Sequence, residues 1–532
     1  MVNEIKKNKY TVFHVADRFQ NWFDKDKRFT FGASLVIGYA THYLQLVNQY
    51  LSQDGIVSAI LCSAGDFETT LGRWGIDYID SLRNNAVATA LISVLCLFFM
   101  AVGVVLITDL LHIRHRLSMF MISAVFMSAP SLLATMLYSY CADAYMIAFV
   151  CAILSAYCLV KIKYQLIAMV CSAIFLLFSL AIYQNYAGIT VGLYVLIVLQ
   201  KLLKGEENSK EILKTGLYYV GMVGIGGILY YTSCKIVTQV RGIEMSIKGG
   251  LGKLSMLSIM KNLKNGVITV FKGFRDYFFR DTIIFNTSWK RDKLYVMFFI
   301  ICVLILIFLI YRKKMYKEPL RLMVLVCCVG VFPFALNAIF LLTQGSKIYS
   351  LNAMQMMLVF PFLFILLEDE DTEDMLLVPW CSIVISAMIV FTYFSANIFS
   401  YEYLGMAYGQ MEALTNRIVD RMENTAGYYS GMPCTIVGIP SKENYPLDGV
   451  YQKYGIGDIL DSTLFHADYG GSVACWKKFA VLYLGEDLQL QGYGAVVNTD
   501  EFREMGIYPA KDSVQIIDGI MTVKFTDEPF LP

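Results

Sequence analysis

Apolar residues along the 532-residue chain gather into eleven runs, at about 29–50, 86–108, 118–137, 144–160, 164–182, 187–200, 215–234, 294–310, 322–342, 351–367 and 375–396. A helix needs about 20 apolar residues to cross a bilayer, so the pattern predicts a polytopic α-helical membrane protein with about eleven transmembrane helices. The fourth run abuts a charged turn, and the sixth is short unless it borrows Gln184 or Tyr186. None of the runs contains Asp, Glu, Lys or Arg. Ion- and proton-driven transporters mark their pathways with such residues, which disfavours that class.

The segments between the runs carry their own patterns. In 51–85, Ile56, Val57, Ile60 and Leu61 repeat at helical spacing, which predicts a short helix along the membrane surface. The segment 235–293 is longer than a connector needs to be. Its spaced Ile and Leu residues, its lysines and its run of Phe predict an interfacial amphipathic helix, with a lid over a substrate as the sharper alternative. After 396, Tyr403, Ala407, Met411, Leu414, Ile418 and Met422 mark one face of a helix. Strand-like runs follow at 435–439, 479–484 and 495–498, and a hairpin is expected around Asp518-Gly519. The organisation expected is a segment 1–28, a membrane domain 29–396 and a small α+β domain 397–532.

Charge then orients the spans. Twenty basic residues, from Lys6 through Arg321, fall in the loops that lie inside if residue 1 is inside; the short outside loops hold only Arg73, Arg83 and Lys347. The positive-inside rule therefore places the N-terminus in the cytoplasm and, after an odd number of spans, the last domain outside. The first run is too long for a signal peptide and lacks a small-residue cleavage site, so it is expected to stay as an anchor. The chain is 57% hydrophobic and 16% charged with a formal net charge of +1, which excludes a simple soluble protein and leaves no basic footprint for nucleic acid. Most of the 13 cysteines lie in spans as small hydrophobes; Cys434 and Cys475 share the outer domain, where a disulfide is permitted.

Candidate chemistry collects at the outer ends of the spans. His42, Gln45 and Gln49 share a helix face that leads to Asp54, either as glue between helices or as a wall facing substrate. Asp54 after the first span and Asp143 before the fourth are two carboxylates at one membrane face, able to converge as base and partner; Asp66 and Glu68 are weaker candidates. The five histidines show no helix-spaced pair outside, so no cofactor is expected, although a divalent metal held by Asp54 with Asp66 or Asp143 stays open.

Asp54 after the first span, Gly72-Arg73-Trp74 in the same loop, the Asp143-Ala144-Tyr145 turn, and Ala396-Asn397 at the head of an acidic amphipathic helix resemble the bacterial O-antigen-type, Gtr-like glucosyltransferases of the GT-C class. The resemblance covers roughly residues 30–425. It implies a GT-C-like membrane enzyme that moves a hexose, glucose by resemblance, from a polyprenyl-phosphate sugar donor to a cell-envelope glycan acceptor outside the cytoplasmic membrane. It also implies that Asp54 is the base and that the reaction inverts the anomeric carbon. Many relatives show paired acidic residues where this chain has Gln53-Asp54; a second carboxylate then falls to Asp66, Glu68 or Asp143. Such a reaction needs a cation for the departing phosphate: Arg73 comes first because a guanidinium fork matches its oxygens, and Lys347 second. Trp74 and Tyr145 are candidates for stacking on the sugar, although aromatic residues favour membrane interfaces in any case. The rival class is a transporter or flippase of lipid-linked sugars.

Overall fold

The computed structural model describes residues 12–205, 207–246, 256–280, 291–341, 348, 350–438 and 469–527. Helices α1 (Val12–Trp22) and α2 (Lys25–Asn48) lead to the short α3 (Gln53–Val57). A two-residue ladder of β1 (Ile60–Leu61) with β2 (Ala86–Val87) then encloses α4 (Asp66–Thr70) and α5 (Gly75–Leu82). The main bundle follows as α6 (Thr89–Leu110), α7 (Arg116–Met127), α8 (Pro130–Leu137), α9 (Ala142–Lys161), α10 (Gln165–Ile182), α11 (Ala187–Lys204), α12 (Ser209–Arg241), α13 (Met256–Phe278), α14 (Arg291–Arg312), α15 (Pro319–Leu336), α16 (Val359–Leu367) and α17 (Val378–Glu423).

Eight of these helices are long and apolar enough to cross a membrane: α6, α9, α10, α11 with its preceding turn, α12, α14, α15 and α17. The predicted run 118–137 is the ninth only if α7 and α8 count as one, because the chain bends by 40° between them, where Pro130 starts the second helix. The other two differ from expectation for separate reasons. Residues 351–367 form only a 14-residue apolar helix, Met354–Leu367. The run 29–50 does form a helix, α2, but its buried face is polar or small, with Thr30, Ser34, Thr41, His42 and Gln45, while Val36, Tyr39, Tyr43 and Val47 are exposed. Polar inside and apolar outside is the pattern of a helix immersed in lipid, since only protein can satisfy the buried hydrogen-bonding groups.

Polar contacts gather the loops at two opposite ends. At one end Lys27 pairs with Asp109 at 3.0 Å, Glu368 accepts the Arg114 and His115 N–H groups at 3.0 and 3.1 Å, Lys313 pairs with Asp369 at 2.8 Å, and Arg321 donates to the Leu202 carbonyl at 2.6 Å. At the other, Ser52 N–H donates to the Leu137 carbonyl at 3.0 Å, Gln184 to the Leu71 carbonyl at 2.8 Å and Asn185 to the Asn352 carbonyl at 2.7 Å, and Arg241 pairs with Asp77 at 2.6 Å. Every loop in the first set is one that the charge pattern groups together, and every loop in the second is one that it groups apart. Segments 29–50 and 351–367 also run between these two ends.

Within the bundle, α11 crosses α15 closely enough that a methyl group at Gly188 would run into the Leu336 carbonyl. Backbone cannot retreat as a side chain can, so Gly188→Ala should cost about 1–3 kcal/mol by overpacking. A thermal midpoint in detergent equal to that of the wild type would reject this close crossing.

Helix α17 is 46 residues long, about 70 Å at 1.5 Å per residue, against about 30 Å of hydrocarbon, so its second half extends beyond the bundle. Tyr403, Ala407, Met411, Leu414, Ile418 and Met422 are all buried, as their spacing predicts. Beyond it lie β3 (Pro433–Val437), α18 (Tyr469–Phe479), β4 (Gln489–Leu490), α19 (Asp500–Glu504), β5 (Val514–Ile517) and β6 (Ile520–Lys524), with the strands in the order β4-β3-β6-β5. The β5–β6 hairpin turns at Asp518 and Gly519, both at positive φ, as that dipeptide favours. Two predicted strands are corrected. Residues 479–484 continue α18 through a π turn, which stacks Phe479 on Tyr483 at 4.5 Å, a helical i, i+4 pair. Residues 493–495 form a 3-10 turn that buries Tyr493. The surface helix expected through Leu61 stops at Val57, and Ile60-Leu61 pair with Ala86-Val87 instead. Cys434 and Cys475 are both buried free thiols.

Candidate active site at one end of the bundle

Asp54 is exposed on the first turn of α3, whose start is capped by Ser52 accepting the Gly55 N–H at 3.1 Å. There is no room for a side chain at position 55, where a Cβ would stand 2.9 Å from the Leu137 carbonyl. The α3 turn is therefore pressed against the end of α8. On its other side it packs against α18, and Asp54 lies within electrostatic reach of Tyr140 and Cys475.

The Tyr138–Cys141 turn between α8 and α9, with the first turn of α9, is held from below by a buried ionic cluster. Arg83 pairs with Asp80 at 2.6 Å and with Asp143 at 2.9 Å, and donates to the Tyr140 carbonyl at 2.9 Å and the Ala86 carbonyl at 2.7 Å. Asp80 is fully buried and its second oxygen accepts the Ala64 N–H at 2.9 Å. Burial pushes the Asp80 carboxyl up to about 7, against the pull of the Ala64 N–H and of Arg83. Asp143, 2% exposed, is spent on Arg83 and on the Ala144 N–H, so it does not stand beside Asp54 as a second open carboxylate. Charges this far from water need full pairing, and one arginine serves both acids. Asp80 and Arg83 are not among the candidates drawn from the sequence; their i, i+3 spacing across the end of α5 is the signal that could have found them.

Arg73 is in the opposite condition. Its guanidinium donates to the Tyr145 hydroxyl at 3.3 Å and lies over the Tyr183 ring at 5.2 Å, while Tyr145 and Tyr183 stack at 4.3 Å. Its Nε is buried with no hydrogen-bond partner, and among the described residues no carboxylate lies within ion-pair distance. A largely buried guanidinium that keeps donors unspent is a ready receptor for a phosphate.

The remaining predicted residues are placed elsewhere or on other duties. His42 is fully buried, with Nδ1 at 2.8 Å from the Tyr401 hydroxyl and Nε2 at 2.9 Å from the Met127 carbonyl, so both nitrogens are used in joining α2 to α17 and α7. Of the two roles open to it, glue is the one the geometry favours. Glu68 accepts the Gly65 N–H at 2.9 Å and caps α4; Asp66 is exposed, 3.7 Å from Arg241. Trp74 is 9% exposed and sits among Leu176, Leu180, Ala187 and Tyr230, so its ring serves packing against α10 and α12. Tyr145 belongs to the Arg73 nest. Lys347 lies outside the described residues. Among the described residues, no three His, Cys, Asp or Glu side chains gather as they do around a metal ion.

A bundle of lipid-facing helices, with a carboxylate and an arginine–tyrosine nest at one end, is the build of a polytopic membrane enzyme. A family model described as "Glucosyl transferase GtrII" matches residues 43–366, more than half of the chain, and the chain belongs to that family: it is a membrane glycosyltransferase. No curated protein and no solved structure matches it. The matched span takes in Asp54, Arg73, Asp80, Arg83 and Asp143 and stops before α17.

Proposed function

We propose that the protein takes glucose from a polyprenyl-phosphate donor and transfers it to a cell-envelope glycan at the outer face of the cytoplasmic membrane. The observation that carries this reading is the unspent Arg73 guanidinium at the same end of the bundle as exposed Asp54. Cleaving the bond from anomeric carbon to phosphate leaves negative charge on the phosphate, and the acceptor hydroxyl must lose a proton as it attacks. Arg73 meets the first need and Asp54 the second. Asp143 contributes through Arg83, by fixing the turn between them. In this reading, the end carrying Asp54 faces outward and eleven segments cross the membrane, because the opposite end gathers the basic loops.

The test is transfer of labelled glucose by membranes that contain the full chain. Glucose should pass from synthetic polyprenyl-phosphate glucose to an envelope glycan extract. Transfer from a nucleotide sugar alone, or from neither donor, would sink the proposal. Within the same assay, Arg73→Gln should raise the donor KM about 10- to 100-fold, the worth of a hydrogen bond to a charged group. An unchanged donor KM would remove Arg73 from the phosphate site.

A further inference from the structure

The turn that leads into α3 is pinned more tightly than a surface connection requires. Gln49 closes α2 in the left-handed region, φ 55°, a conformation that costs a non-glycine residue energy and persists only where its surroundings hold it. The surroundings are specific. The Gln45 side-chain amide donates to the Tyr50 carbonyl at 2.8 Å. At the next residue, the Tyr408 hydroxyl accepts the Leu51 N–H at 3.0 Å and donates to the Leu51 carbonyl at 2.9 Å, so one side-chain oxygen satisfies both backbone groups of a buried residue. Ser52, which caps α3, follows at once.

Tyr408 stands on the half of α17 that leaves the bundle, and its ring packs 6.0 Å from Phe479 and 5.5 Å from Tyr483. These two residues end α18, the helix that also packs on α3. All of them lie outside the span matched by the family. Asp54 is thus reached by the C-terminal part of the chain along two routes, through the α18 surface and through the hydroxyl on Leu51.

We propose that Tyr408, backed by Gln45, is a positioning residue for Asp54: it fixes the Gln49–Ser52 turn and so makes the placement of the base depend on the C-terminal segment. The inference rests on the reading of Asp54 as the base. Misplacing a reacting group by about 1 Å costs up to about 100-fold in rate without a matching loss of binding, so the signature is a fall in kcat at constant donor KM.

The experiment measures kcat and KM for polyprenyl-phosphate glucose with full-length Tyr408→Phe, which keeps the ring and loses only the hydroxyl, alongside Asp54→Asn and wild type. Expected is a kcat about 10- to 100-fold lower with donor KM unchanged in an enzyme that melts as a single transition. Gln45→Met, which frees the Tyr50 carbonyl from the α2 side, should show the same split, and it carries the test if Tyr408→Phe does not fold. Tyr311→Phe, at an exposed tyrosine in the last turn of α14 and away from this turn, should retain wild-type kcat. Normal kcat in folded Tyr408→Phe or, where that variant fails to fold, in Gln45→Met, while Asp54→Asn is inactive, overturns the tether. Activity in Asp54→Asn overturns the underlying assignment of the base instead.

Discussion

Asp54→Asn should lower glucosyl transfer by about 10²- to 10⁴-fold, the usual worth of a positioned general base, while leaving the cap and backbone bonding of its turn in place. Both halves of that expectation come from geometry. Asp54 is exposed and takes no part in capping α3, a duty that falls to the Ser52 side chain. Its backbone carbonyl accepts the Ser58 N–H at 3.0 Å, a bond that asparagine keeps. An amide of equal size therefore preserves the Ser52 cap and the backbone bond of the turn and removes the group that accepts a proton. The measurement is the initial rate of labelled glucose transfer, paired with the thermal midpoint of the same preparation. Full transfer by the variant would take the base away from this position; a large drop in midpoint would mean that the carboxylate serves the fold.

Much of the bundle is legible in the sequence because hydrocarbon imposes a simple code. Eight of the predicted spans recur as membrane-length helices, and the face from Tyr403 to Met422 is buried as its spacing requires. The code fails where it is diluted. Helix α2 carries His42 and Gln45 on its buried side, and periodicity shows only that they share a face, while the partners Tyr401 and Met127 are fixed by the tertiary fold. The run 479–484 reads as a strand from its β-branched and aromatic content, yet Phe479 and Tyr483 gain more by stacking at helical spacing beside Tyr408. In the site, Arg73 is visible as one of only two basic residues in the loop 51–85. What holds it, a tyrosine pair from α9 and from the turn that opens α11, is not, because no local pattern links residues 145 and 183. The Arg83 cluster was hidden for the same reason: Asp80 is three positions away, but Asp143 arrives from a different helix.

Arg83→Met is expected to be the most destabilising single change at this end of the molecule, at about 3–5 kcal/mol, because it strands two acids that are almost without solvent. The loss should depend on pH, with a sign that Asp80 determines. Its carboxyl is pushed up to about 7 by burial even with Arg83 present. A raised value means that the folded chain holds the proton more tightly than the unfolded chain does. The stability tied to that proton is complete below the usual carboxylate range and disappears as pH rises through about 7. Without Arg83 the pull toward ionisation weakens further, so the variant should come closest to the wild type in mild acid and fall furthest behind it in mild alkali. Adding Asp80→Asn and Asp143→Asn to Arg83→Met removes both stranded charges, and the triple variant should recover most of the midpoint at alkaline pH. It should not recover full transfer, because Arg83 also holds the Tyr140 carbonyl, and Tyr140 lies within electrostatic reach of Asp54. Thermal midpoints across pH for the wild type, the single variant and the triple variant decide the matter: a single variant whose deficit is the same at every pH would show that the pair of acids is not what Arg83 compensates.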